Sequence, residues 1–310
     1  VHDKKIIFID ECSMIDTQLY RMIIEGTVDC KIVYVGDHSQ LAPVMEKLSP
    51  IYLKDLPQYN LTEPMRNAHQ PALMAVCQQL RETVETGVFR PIQIVPGVID
   101  LVSDQEAEQA VQLGFSTENN NRILAYTNKR VTEFNDYIRD LRQYSAQYVI
   151  GEELINNSMV KIGKAALSVE EEVRIIDLSE ETRNIEISTD VHLEVRYAEL
   201  QSHHGNIIQN VPLPVDKAHY AGLVKYFQRT KNWNRYFYLK NTFPDLRPRD
   251  SATVHKSQGS TYDTVFIDLN NLSSCPQPNL AARLLYVAFT RAKSRVVLFG
   301  SLSEKYGGLL

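Results

Sequence analysis

The feature that most constrains this chain is the way short apolar runs end abruptly in polar residues and give way to helical spacing. Residues 5–9 (KIIFI) run straight into Asp10 and Glu11, and residues 31–35 (KIVYV) into Gly36 and Asp37. Between them, "SMIDTQLYRMIIEGT" repeats Met14, Leu19, Met22 and Ile23 at helical intervals, which predicts an amphipathic helix. Strand-length apolar runs alternating with helices predict a parallel α/β sheet. The same grammar returns later. "RILAYTN" leads into the helical "KRVTEFNDYIRDL", "TVFIDL" is another apolar run, and "LAARLLYVAFTRAK" predicts a helix feeding the strand "RVVLFG".

Between about 146 and 250 the texture changes. "VHLEVRYAEL" alternates, with Val191, Leu193, Val195 and Tyr197 on one face and His192, Glu194 and Arg196 on the other. "EVRIIDL" and "NIEIST" are similarly short and β-rich. Small strands separated by turn residues predict a compact, barrel-like β-module inserted into the α/β domain. Its charge is uneven: residues 168–199 hold ten acidic residues against three basic, whereas 225–249 hold seven Lys/Arg, one acid and seven aromatics.

A chain of 310 residues can form two or three domains. The net charge of −5 excludes a surface coated with nucleic-acid-binding charge but leaves room for a local basic groove. The four cysteines are scattered, without a CxxC spacing, and read as reduced thiols of a cytosolic protein. Cys12 reads as a small buried filler. His203 and His204 lack companion ligands, so no metal site is expected there. The apolar runs are too short to span a membrane, and "VHDKK" is not a signal peptide.

Several segments carry chemistry. A carboxylate at a strand's C-terminal end can hold magnesium through water, and its neighbour can polarise an attacking water. Asp10 and Glu11 fit those roles, although the same dipeptide can be a solvated turn. "VYVGDHSQLAPV" places the Gln40 amide where it can sense a γ-phosphate, or else is a structural loop. "LTEPMRN" supplies Arg66 and "LLYVAFTRAKS" supplies Arg291. A lone arginine is usually a surface residue, but two facing a phosphate would neutralise charge developing in phosphoryl transfer, an effect worth roughly 10³–10⁵ in rate. "ATVHKSQGSTYDTVFID" packs small polar donors before a strand, which suits a phosphate or nucleic-acid backbone better than a core.

Taken in order, DECSM, GDHSQLAP, the Arg66 segment, AYTN, HKSQGST and LLYVAFTRAKS resemble the superfamily 1 DNA helicases, in their RecD-like branch. The likeness spans nearly the whole chain, including "DLRPRDSATVHKSQG". It implies RecA-like parallel-sheet domains, the first incomplete: 1–60 as a remnant of the first, and 61–145 with 251–310 as the second. Residues 146–250 would be an inserted SH3-like β-module with an aromatic-basic extension. It implies ATP and Mg²⁺ as cofactors, with Asp10 on the metal, Glu11 activating water, and Gln40, Arg66 and Arg291 acting in catalysis. Gln40, Arg66, Gly259 and Arg291 would contact nucleotide. Asn128, Thr253, His255, Lys256 and Ser257 would contact single-stranded DNA. The implied protein is a cytoplasmic 5′-to-3′ DNA helicase of a bacterial or phage-infected cell, monomeric, with replication or recombination proteins as further partners.

The departure from that family is large: no G-x-x-x-x-G-K-[ST] occurs in the 310 residues, and "KIGKAA" lacks both the preceding glycine and the following hydroxyl. The amide cradle, the phosphate-binding lysine and the magnesium-binding hydroxyl are then missing. The expectation is that the loop belongs before Val1 and that this chain does not hydrolyse ATP at a helicase rate by itself. The competing expectation is a non-catalytic module that holds single-stranded DNA or a replication partner. The aromatic-basic stretch bears on both. Trp233, with Tyr236, Phe237 and Tyr238 among Lys225, Arg229, Lys231, Arg235 and Lys240, either stacks on bases or packs the inserted module.

Overall fold

The computed structural model describes residues 1–43, 45–61, 69–116, 120–163 and 165–310. Arg66 lies outside them. The chain divides into two compact units, Val1–Phe134 with Ser251–Leu310, and Asn135–Asp250.

The first unit is built on parallel pairing. Ile6–Ile9 pairs in parallel with Lys31–Tyr34, joined by the helix Thr17–Glu25. That helix starts where Asp16 accepts a hydrogen bond from the Leu19 amide at 2.7 Å, the capping role its short carboxylate suits. A second sheet of five strands runs in the order Ser251–Thr253, Asn121–Ala125, Tyr262–Asp268, Ala292–Phe299, Ile99–Val102, every pair parallel. Its central strands are buried on both faces, which is why "RILA" and "VFID" read as continuous apolar runs. Against this sheet lies the helix Pro278–Thr290, with every residue from Ala281 to Phe289 buried. Leu284, Leu285, Val287 and Phe289 meet Leu73, Val76 and Leu80 of the helix Pro71–Thr86 in the main core.

The helix expected between the two strands is present. The helix Thr17–Glu25 has no buried residue, and Leu19 and Met22 of its apolar stripe are exposed. Only Ile23 and Tyr20 pack, against Cys12, Ile15 and Ile51. A two-stranded sheet is too narrow to cover a whole helix face.

The second unit is antiparallel. Its sheet runs Arg183–Ser188, Val191–Ser202, Glu172–Leu178, Glu153–Asn156, Leu246–Pro248, with Ile207–Pro214 also paired to Val191–Ser202. Val160–Ile162 and Ala165–Leu167 form a separate two-stranded ladder. The predicted alternation of Val191–Tyr197 holds, with Leu193 and Val195 fully buried. It then changes parity: Ala198, Leu200 and Ser202 are the buried residues of the second half, where the ladder carries a bulge. The first half packs on Phe227, Leu239 and Phe243, which belong to a helical hairpin of Lys217–Arg229 and Trp233–Thr242. The second half joins a different cluster with Leu154, Val173 and Ile175. Near the unit's two chain ends, Arg142 binds Asp250 through both guanidinium nitrogens at 2.8 Å each.

Candidate active site

The Asp-Glu strand delivers its carboxylates at the C-terminal end of a parallel pair, where α/β sheets bind ligands. Asp10 is exposed, and its Oδ1 accepts the Glu11 amide at 2.8 Å. Glu11 itself sits in the left-handed region, φ 50°, at the start of a short 3₁₀ turn Cys12–Met14. A non-glycine residue in that region is strained, and such strain gathers at functional positions. The turn is anchored beneath by Cys12, buried, whose thiol donates to the Tyr52 hydroxyl at 3.4 Å. Burial pushes that thiol's pKa up, so Cys12 serves as the small filler its position suggested. The Cys12 amide donates to Val35 O at 2.9 Å, binding this turn to the second strand. A side chain at Gly36 would come within 2.7 Å of the Cys12 sulfur, which is why glycine opens the Gly-Asp loop.

Three separate segments then converge. The carboxylate oxygen Oε1 of Glu11 lies 3.8 Å from where a Cβ on Gly259 would stand. The Gln258 side-chain amide donates to Gln40 Oε1 at 3.5 Å. Glu11, Gln40, Gln258 and Gly259 therefore share one place, although 218 residues separate the two glutamines. Gly259 has φ +77°, a conformation that L side chains avoid. On the same segments Ser13 Oγ, Ser39 Oγ and Gln258 Oε1 are buried and have no hydrogen-bond partner among the described residues. An exposed carboxylate, side-chain amides and hydroxyls make a hard, oxygen-rich donor set. Such a set fits magnesium held by one or two carboxylates together with phosphate oxygens.

The loop carrying Gln40 is held by residues that sequence reasoning missed. Arg283, buried within the helix Pro278–Thr290, donates from Nη1 to His38 O at 2.5 Å and to Gln40 O, and from Nε to Asn279 Oδ1 at 3.0 Å. Burial lowers its pKa. Three residues along, the Tyr286 hydroxyl donates to Asp37 Oδ2 at 2.7 Å. Burial, then the neighbouring Asp37 charge, drives the Tyr286 pKa upward, so it stays a donor. Asp37 also accepts the Ser39 amide at 3.0 Å and faces Arg81 at 3.7 Å. Leu41, wholly buried in the main core, pins the far end of the loop. The signal for Arg283 was available: an arginine inside an otherwise apolar helix is almost never buried without partners.

The remaining expected residues fall in different places. Arg291 caps the helix Pro278–Thr290 and is buried, donating to Val287 O at 3.2 Å, Ser260 O at 3.3 Å and Thr290 Oγ1 at 3.1 Å. In this geometry it braces the end of the HKSQGST segment. Ser257 is fully buried and its hydroxyl donates to Val254 O at 2.8 Å, while Thr253 Oγ1 accepts the Lys256 amide at 3.3 Å. These two shape the turn. Lys256 is exposed and His255 half-buried, so they are the members of the set that reach the surface. Asn128 is exposed at the first residue of the helix Asn128–Leu141. Its loop is fixed by Asn271 Oδ1, which accepts the Tyr126 and Thr127 amides at 2.7 and 2.9 Å. Asp268, almost fully buried, accepts from both the Asn271 amide at 2.9 Å and Arg130 Nε at 2.6 Å. Trp233 lies in the second unit, half-exposed at the start of its helix.

Residues 1–90 match a family model described as an AAA domain, and residues 251–299 one described as the UvrD-like helicase C-terminal domain. The ATP-dependent DNA helicase dda of Enterobacteria phage T4 is 23% identical over 345 aligned positions, covering 93% of this chain and 74% of that protein. A crystal structure of a Bacteroides Pif1 helicase in complex with ADP-AlF3 and single-stranded DNA shares the fold at TM-score 0.54 and 13% identity. It covers 98% of this chain and 72% of that one. A structure of two coordinating Pif1 helicases on forked duplex DNA matches at TM-score 0.55 and 15% identity, covering 97% and 70%. The first unit is a parallel α/β fold with a convergent polar site, and over nearly its whole length the chain is similar to the Dda and Pif1 helicases.

Proposed function

We propose that the chain is an ATP-dependent DNA helicase that couples hydrolysis at the Asp10–Glu11 site to 5′-to-3′ movement on single-stranded DNA. The observation that carries this reading is the meeting of Glu11, Gln40, Gln258 and Gly259 from three distant segments. Bound magnesium would neutralise the phosphates, and Asp10 is the residue to hold it. Glu11 takes a proton from the attacking water. Gln40 reports the state of the phosphate to Gln258 and so to the turn bearing His255 and Lys256. Arg66 and Arg291 complete the set of cationic groups, with Arg291 first leaving its bonds to Val287 and Ser260. Thr253, Ser257 and Asn128 position the strand-facing surface.

In this reading residues 1–60 belong to a first RecA-like domain, and 61–145 with 251–310 form the second. Residues 146–250 are an SH3-like accessory module. The parallel pairing of the first unit and the antiparallel ladder of the second support that division.

Because the 310 residues hold no G-x-x-x-x-G-K-[ST], hydrolysis needs that loop supplied. The test is DNA-stimulated ATP hydrolysis by this chain and by the chain joined to its native upstream coding segment. Activity only with a segment bearing the loop, lost in Glu11→Gln, supports the proposal. Hydrolysis that survives Glu11→Gln, or silence in both forms, overturns it, and silence moves the non-catalytic DNA-holding module ahead.

A further inference from the structure

We infer, on the reading of Asn128 as a contact for single-stranded DNA, that Asn271 is the positioning residue that sets it. Parallel sheets bind ligands at the carboxyl ends of their strands, where backbone amides and helix starts collect. In the five-stranded sheet that crest is closed from within. The central strand Tyr262–Asp268 runs directly into a short helix, Leu269–Ser273, and Asp268 caps it by accepting the Asn271 amide at 2.9 Å. Two consecutive asparagines of this helix then reach the strands on either side. Asn270 Oδ1 accepts the Ser301 amide and hydroxyl at 3.0 Å each, just past the strand Ala292–Phe299. Asn271 Oδ1 accepts the Tyr126 and Thr127 amides at 2.7 and 2.9 Å, just past the strand Asn121–Ala125.

With the Tyr126 and Thr127 amides taken, recognition at this turn falls to side chains, and the next residue, Asn128, is exposed. Asn271 also settles how Asn128 is presented. Its Nδ2 donates to Thr127 Oγ1 at 3.1 Å, and that same oxygen accepts the Arg130 amide at 3.3 Å, starting the helix Asn128–Leu141. One planar amide thus fixes the backbone before Asn128 and the cap beside it. Its orientation is forced, because two N–H groups point at one atom and only an oxygen can accept them. A third tie runs from Arg130 Nε to Asp268 Oδ2 at 2.6 Å, with the guanidinium 4.3 Å over the Phe134 ring. Asn271 lies 144 residues from Thr127, so local turn propensity does not account for the bond. A turn already held in its bound shape loses little freedom when a strand arrives.

The experiment measures the affinity of the whole chain for a labelled oligothymidylate, without nucleotide, in Asn128→Ala, Asn271→Ala and the double variant. Each single variant should weaken binding roughly fivefold, and the double variant should match Asn128→Ala within about twofold. Amide exchange at Tyr126 and Thr127 should speed in Asn271→Ala and stay slow in Asn271→Asp, whose carboxylate still accepts both amides. Should Asn271→Ala fail to fold, Asn271→Ser, too short to reach both amides, takes its place in the cycle. Losses that multiply to about 25-fold in the double variant would make Asn271 a general support of the sheet and overturn the inference. Exchange unchanged in Asn271→Ala, or binding weakened by Asn128→Ala alone, would overturn it and leave the strand contact standing. Native-strength binding by Asn128→Ala, or no binding by the native chain, would remove the strand contact and the inference with it. Hydrolysis is not read in this titration, so the outcome for Glu11→Gln is judged apart from it.

Discussion

Arg283 and Tyr286 show how much of this candidate site rests on residues outside the place where Glu11, Gln40 and Gln258 meet. One guanidinium nitrogen serves two backbone carbonyls that flank Ser39, and a neighbouring phenol takes one oxygen of Asp37. Tyr286→Phe removes a single hydrogen bond to a carboxylate, and a loss of about 1.5–3 kcal/mol in unfolding free energy is expected, read from denaturant midpoints. Arg283→Lys should not restore what Arg283→Ala loses, because an ammonium cannot reproduce the planar fork that reaches His38 O, Gln40 O and Asn279 together. In the loop-supplied protein both Arg283 variants should lower kcat for ATP more than they weaken DNA binding. An equal loss in both would mean the arginine merely holds the fold. The order of DECSM, GDHSQ and HKSQGST singled out Glu11, Gln40 and Gly259 in the sequence, and the structure brings these three together. The clamp was not legible, because nothing in "LAARLLYV" says which loop its arginine will meet.

At the scale of an element, the strand Val191–Ser202 shows what an alternating pattern can and cannot disclose. Its odd positions, Leu193 and Val195, face the helical hairpin, and its even positions, Ala198 and Leu200, join the other cluster. Period-two spacing disclosed the first half. The parity change could not be read, because Tyr197 and Ala198 suit either face and the bulge has no residue signature of its own. Truncation should separate the two halves. Leu193→Ala and Leu200→Ala should each cost about 2–5 kcal/mol. Only the former should speed amide exchange through Lys217–Thr242, and equal acceleration by both would refute two separate packing roles. The helix Thr17–Glu25 teaches the converse lesson. Its apolar spacing specified the helix correctly and said nothing about whether a partner covers the stripe.

For the whole molecule, the parallel-then-antiparallel division was legible from texture alone, and pH gives a handle on the antiparallel unit. Lys217 is held largely out of water, its ammonium 4.8 Å over the Tyr148 ring and donating to Leu246 O at 2.9 Å. Burial depresses its pKa to about 8. In the unfolded chain it keeps its proton to about 10.4. Between those values the unfolded state binds more protons, so stability rises with pH from about 8 to 10. Burial raises the pKa of Tyr148 and Tyr220, so near pH 10 the unfolded chain begins to lose protons that the folded unit keeps, and these groups lower stability there. Unfolding midpoints of this unit should therefore climb from about pH 8 to 9 in the native protein and stay level over that range in Lys217→Met. A parallel climb in both would assign the effect to another group.

The pairing of Arg142 with Asp250 has a consequence for how such a protein can be rearranged. A segment whose first and last residues are clasped at 2.8 Å leaves its host chain at almost the same point where it rejoins it. The host, from its own side, sees a gap that a few residues can bridge. The antiparallel unit is thus a cassette: cut at 142 and 250 and closed by a short glycine-serine tether, the parallel unit should retain its melting transition. The excised piece, ligated end to end, should fold as a circle.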